Sequence, residues 1–181
     1  MSATCSDREL THLPGYGGAR PVRIGNGAAL QYQADVVGEV MVAAIPPARP
    51  GWGNRPPHGR CSGAAEPGAG RIDEPDSGIW EIRGEPRMFT HSRVMTWAAF
   101  DRGVRAVHGY RLPGAVELWQ SARDRVRAEI DAKAVAVEAA GSPRYYGTDE
   151  ADASLLVLPQ VGFCAADDPR MLATVERLEQ T

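Results

Sequence analysis

The sequence lacks several features that mark common protein classes. No apolar run approaches the roughly 18 residues of a membrane span, so a membrane-embedded chain is not expected. The start, Met1 to Leu10, has no apolar core of the signal-peptide kind, and the sequence predicts a cytoplasmic protein. Cysteine is scarce: Cys5, Cys61 and Cys164 are an odd number without a CxxC, which gives no disulfide framework. The four histidines, His12, His58, His91 and His108, are scattered without ligand spacing, so no metal is expected. Gly15, Gly17 and Gly18 lack the strand-then-helix setting of a phosphate loop, and no cofactor is called for. Positive charge is not in excess. A formal net charge of −3 gives no reason to expect nucleic acid or an anionic membrane as partner. Internal repeats and alternating, strand-like stretches are also missing or few.

Helical spacing is what remains. At 181 residues the chain fits one domain with a core of its own, and it is read as a single domain over 1–181. Gly27 to Ala44 carries Leu30, Val36, Val37, Val40 and Met41 at spacings near three and four, a largely buried helix stopped by Pro46-Pro47. A second helix starts near Thr90 or Ser92, with Val94, Met95, Trp97, Ala98, Phe100, Val104 and Val107 inward, and ends near Gly109. A third runs from about Ala115 to Ala139, with Val116, Trp119, Val126 and Ile130 inward. Shorter helices are expected at Ala151–Leu158 and Pro169–Leu178, the second opening after Asp167-Asp168.

Residues 46–71 stand apart. Six Pro, six Gly and four Arg leave no helical period and little apolar surface, so the segment is expected to be disordered and irregular. Its bias is that of a GC-rich gene read out of frame, and a compensated frameshift is the favoured explanation.

The most informative stretch is Asp76-Ser-Gly-Ile-Trp-Glu-Ile-Arg-Gly-Glu-Pro-Arg-Met-Phe-Thr-His-Ser-Arg93, a loop that leads into the second helix. It sets carboxylates beside an indole and several guanidiniums. A Trp face stacks on a pyranose ring, Arg forks hold hydroxyls, and a carboxyl crowded by apolar surface keeps a proton to give to a leaving oxygen. The competing reading is a solvated, charged loop that caps a helix. Glu85 is a rival donor, although Pro86 and the helix beyond favour a capping role for it. His91 suits either hydroxyl orientation or, as a lone histidine at a helix start, a cap or a satisfied core position.

Three blocks together resemble glycoside hydrolase family 15, of the bacterial glucoamylase and trehalase type. They are His12 to Gln31 running on through Asp35-Val-Val-Gly-Glu-Val-Met41, then Asp76 to Asp101, then Tyr145-Tyr-Gly147 with Asp152-Ala-Ser-Leu-Leu-Val-Leu-Pro-Gln-Val-Gly-Phe163 and Asp167-Asp-Pro-Arg170. The likeness covers roughly residues 8–44 and 73–180. It implies an all-α fold, part of an (α/α)6 six-hairpin barrel, with about five helices readable against twelve for a closed ring. It also implies hydrolysis of α-glucosidic bonds with inversion, trehalose being favoured over maltose-type sugars. Glu81 takes the donor position of the Trp-Glu motif, and Trp80, Arg83, Arg87 and His91 are expected around the sugar, with Arg93 following in the motif. Tyr16, Arg20 and Arg23 are expected on a substrate-end loop, although the two arginines could equally pair with acids such as Glu39. Desolvation by Trp80 favours protonated Glu81, and Arg83 opposes it.

The chain also departs from that family. The second glutamate expected of an inverting pair falls beyond Asp167-Asp-Pro-Arg170, and Asp76, Glu85 and Glu39 lie in no matching context. An alternative expectation is therefore an inactive truncated remnant that retains sugar binding or a partner. In that case the chain would self-associate through exposed helix faces carrying Val36, Val40, Trp97 and Phe100.

Overall fold

The computed structural model describes residues 7–45, 70–82, 84–134 and 141–180. Among these, four α-helices carry the fold: α1 (Asp35–Ala44), α2 (Thr90–Tyr110), α3 (Val116–Lys133) and α4 (Pro169–Glu179). Two-residue strands β1 (Arg8–Glu9) and β2 (Arg23–Ile24) pair antiparallel, with Arg8 opposite Ile24 and Glu9 opposite Arg23. A 3-10 turn spans Tyr16–Gly18 and a longer 3-10 stretch covers Ala153–Val157. The all-α class read from the sequence holds. No described helix is long and apolar enough to cross a membrane.

α2 is the central element. α1, α3 and the Ala153–Val157 stretch all pack against it. It is buried around nearly its whole circumference from Thr90 to Val104, polar residues included, where the sequence predicted one apolar face. Its buried charges are paired. Arg93 bonds the Ile72 carbonyl and, at 2.6 Å, Glu129 of α3; Arg102 bonds Asp101 at 2.7 Å and the Val161 carbonyl at 2.9 Å. Such partners are needed, since an unpaired buried charge is strongly destabilising. Around these groups Val94, Met95, Phe100, Trp119, Val126, Ile130, Leu155, Val161 and Met171 form the principal core.

Helix ends follow backbone needs more than the expected cap residues. α2 has no side-chain cap; the Thr90 N–H bonds the Arg144 carbonyl at 3.0 Å instead. It stops at Arg111, not at a glycine, with Arg111 left-handed (φ 54°). The Arg111 N–H bonds the Val107 carbonyl, the closure of an αL cap, and the Leu112 N–H bonds the Ala106 carbonyl beyond it. The five residues to Val116 then turn the chain into α3, which makes α2 and α3 a helical hairpin. α4 begins as expected, with the Asp168 carboxylate accepting the Arg170 N–H.

Three expectations need correction. α1 starts at Asp35, not Gly27, because the preceding backbone is used elsewhere: the Tyr32 carbonyl accepts the Ser77 N–H, and Leu30 is 90 % exposed. Within the expected helix Ala151–Leu158 the chain forms only a 3-10 stretch, Ala153–Val157, capped by Asp152. Of the four residues expected on open apolar faces, Val36 and Val40 are half-exposed, whereas Trp97 and Phe100 are buried against α3 and the 3-10 segment. The segment expected to be disordered, 46–71, lies outside the described residues except for Gly70 and Arg71. Arg71 sits in a turn, with its guanidinium 3.6 Å over the Tyr32 ring and bonded to Glu74. The end of the third helix, beyond Ala134, also lies outside them.

Candidate functional site

The loop between Asp76 and Arg87 is closed at its base and pinned along its length. Asp76 and Arg87 exchange backbone hydrogen bonds of 3.0 and 2.8 Å, an antiparallel bridge. The Ser77 N–H reaches the Tyr32 carbonyl, and the Gln31 side-chain amide donates to the Ile82 carbonyl at 3.1 Å. Inside the loop the Glu81 N–H bonds the Gly78 carbonyl and the Ile82 N–H bonds the Ser77 carbonyl. Gly78 is needed here. Its φ is +67°, and an added Cβ would stand 3.0 Å from the Phe89 ring.

Glu81 occupies the turn at φ 51°, a conformation that non-glycine residues adopt rarely. Its side chain is exposed. Trp80 is 58 % exposed, so the apolar screening of Glu81 expected from it is absent. The Trp80 indole N–H donates to both oxygens of Asp152, at 2.9 and 3.1 Å. Arg87 is exposed, with its guanidinium 4.8 Å from the centre of the Tyr145 ring; Arg83 lies outside the described residues. Glu85 is exposed and lies before the start of α2, which leaves it no capping role there.

Beneath the loop lies a buried polar cluster. His91, on the first turn of α2, is 3 % exposed, with Nδ1 4.0 Å from Asp35 Oδ2 and Nε2 3.8 Å from Glu39 Oε1. It faces the interior between α1 and α2, away from the solvent side where a sugar hydroxyl would approach. Burial lowers the His91 pKa despite the charges of Asp76 and Asp152, which oppose the shift. Burial raises the Asp35 and Asp76 carboxyls, and Asp35 adds to the effect on Asp76. Glu39, half-exposed, is raised by burial and by Asp35. Asp76 Oδ2 accepts the Ala34 N–H at 3.0 Å and caps the approach to α1. Arg93 is a structural partner of Glu129 and not part of the loop surface.

The N-terminal candidates stand apart. Tyr16 is fully exposed, and Arg23 pairs with Glu9 and Asp7, not with Glu39. Arg20 and Arg23 line an open cleft of about 410 Å³ with Leu10, Leu13, Pro21 and Val22. Among the described residues, no hydrogen bond or ion pair joins Tyr16, Arg20 or Arg23 to the Trp80–Glu81 turn. A shallow recess lined by Gly27, Gln31, Gly84 and Glu85 opens beside that turn. No three His, Cys, Asp or Glu among the described residues are grouped to hold a metal ion.

Asp152 lies in the third block of the family resemblance, which assigns it no task. The signal was readable in part: an Asp two residues before Ser, opening an apolar run, marks a cap. Its bond to an indole 72 residues away was not readable.

The model of the glycosyl hydrolases family 15 matches residues 69–181. A trehalase of Thermoplasma volcanium is 35 % identical over 185 residues, covering 96 % of this chain and 28 % of that protein. Trehalases of Mycolicibacterium smegmatis and Mycobacterium tuberculosis are each 37 % identical, covering 93 % of this chain and 25 % of theirs. The chain therefore spans under a third of the length of these relatives. No solved structure matches it.

Proposed function

This chain belongs to glycosyl hydrolase family 15, and from that membership we propose that it carries the proton-donor part of a site that hydrolyses α-glucosidic bonds with inversion, trehalose foremost. Glu81 is the general acid. It gives its proton to the glycosidic oxygen as the bond to the anomeric carbon breaks, while a water activated by a second carboxylate attacks from the opposite face. Trp80 offers its exposed face to the sugar ring, and Arg87 and Arg83 offer guanidinium donors to hydroxyls. His91 supports the loop from below. The preference for trehalose rests on relatives named as trehalases.

The observation that carries this reading is the conformation of Glu81. A non-glycine residue at φ 51° in a loop pinned by Gln31, Tyr32 and Asp152 is strained at a cost of roughly 1–3 kcal/mol, and such strain clusters at functional sites.

A second reading, a chain that binds sugar without turning it over, is favoured by the state of the other carboxylates. Asp76 is buried and bonded to the Ala34 N–H, which keeps it from water, and Glu39 lies 3.8 Å from the His91 ring between α1 and α2. Glucose release from trehalose and from maltose by the purified chain separates the two. Faster release from trehalose supports hydrolysis with the stated preference. Saturable trehalose binding without release supports the second reading, and the absence of both removes the two together.

A further inference from the structure

We propose that Asp152 is the positioning residue of the turn that presents Glu81, holding the Trp80 indole in the orientation a bound sugar meets. This deepens the donor reading above and rests on it. Trp80 is mostly exposed, so water could satisfy its N–H and leave the ring free to turn. Instead both oxygens of one carboxylate take that donor, at 2.9 and 3.1 Å. A charged acceptor makes the stronger class of hydrogen bond.

Asp152 is itself fixed. Its Oδ1 accepts the Ser154 N–H at 2.8 Å, and its Oδ2 lies 3.8 Å from Arg144 Nε. The Arg144 carbonyl in turn holds the first N–H of α2. One carboxylate thus ties the 3-10 stretch, the start of α2 and the Trp80–Glu81 turn together. Burial raises the Asp152 carboxyl, but the Ser154 and Trp80 hydrogen bonds more than offset this, and it stays ionised below the usual range. Glu81 follows Trp80 directly in the turn, so losing the Asp152 tether loosens the backbone segment that carries the donor carboxyl, and a displacement near 1 Å costs about 100-fold in rate.

Three variants of the full chain test this: Asp152→Ala, Asp152→Asn and Trp80→Phe. The Trp80 indole N–H resonance, assigned by its loss in Trp80→Phe, is read alongside trehalose kinetics. In Asp152→Ala the resonance should shift, and kcat/KM should fall about tenfold or more, the size of one lost charge-assisted hydrogen bond. Asp152→Asn should restore part of both, because Oδ1 alone can still receive the Ser154 and Trp80 donors while the charge and the second acceptor are lost. Trp80→Phe keeps the cap at Ser154 but loses part of the ring face along with the indole donor, so it serves to assign the resonance, and Asp152→Asn carries the test where Asp152→Ala fails to fold.

An unmoved Trp80 resonance in Asp152→Ala, or a moved one with unchanged kinetics, would overturn the proposal. Asparagine behaving like alanine would do the same. Where the unaltered chain neither binds nor cleaves trehalose, the donor reading falls by itself, and the indole resonance still decides whether Asp152 holds the turn.

Discussion

Trp80 meets two demands at once: most of its ring faces solvent while its N–H is held by Asp152. A side chain so exposed contributes little to the core, so Trp80→Ala should change stability by about 0.5 kcal/mol or less. Its trehalose affinity should fall about tenfold or more, as when an aromatic anchor is removed from an interface. Calorimetric titration beside a thermal melt checks both, and equal loss of stability would make Trp80 a structural residue. Asp35 shows the opposite balance. It is buried, its Oδ1 has no hydrogen-bond partner, and burial raises its pKa. A raised carboxyl contributes stability below its unfolded value, near 3.8, and that contribution is lost as pH rises through the folded value. Asp35→Asn should therefore raise the melting temperature at pH 7, with the gain fading toward pH 4. Lower stability at pH 7 would mean that the contact with His91 outweighs the buried charge.

At the scale of elements, α1 and α2 approach closely at one point. A Cβ on Gly38 would lie 2.2 Å from the Met95 carbonyl oxygen, which is backbone and cannot swing aside. Gly38→Ala should force the helices apart and cost about 1–3 kcal/mol or more, read from denaturant unfolding. A neutral result would mean that the contact is looser than the distance indicates. The elements also show what the sequence made legible. α2, α3 and α4 follow from apolar spacing and, for α4, from the Asp168 cap, because those signals are local. α1 was read eight residues too long, since the spacing of Leu30 says nothing about the Tyr32 carbonyl being claimed by Ser77. The apolar spacing of Ala151–Leu158 predicts a helix in the same way, but Ala153–Val157 closes as a 3-10 stretch. At the site, the motif marked Trp80, Glu81 and Arg87 as loop residues. A core position for His91 is among its readings, but its partners Asp35 and Glu39, and the reach of Asp152 to Trp80, depend on contacts between distant parts of the chain.

For the molecule as a whole, acid should act through groups whose carboxyls the fold holds low. Asp168 is the clearest: hydrogen bonds from Arg170 pull its pKa to about 2, and Arg170 also reaches Asp131 on α3. A lowered carboxyl stabilises the fold above its unfolded value and loses that effect as pH falls toward 2. Asp152 and His91 act in the same sense in their own ranges, while Asp35 and Asp76 oppose them. Asp168→Asn should flatten the pH dependence of stability between about pH 4 and pH 2, followed by circular dichroism. An unchanged profile would remove the α3–α4 ion network from the account.

The central claim is that Glu81 supplies the proton. It is tested most directly by the rates of the parent and Glu81→Gln on trehalose and on α-glucosyl fluoride, whose leaving group needs no proton. The account predicts a loss of about 100-fold or more on trehalose, the scale of general acid catalysis, with the fluoride cleaved within about tenfold of the parent rate. An undiminished trehalose rate, or equal losses on both substrates, would contradict it.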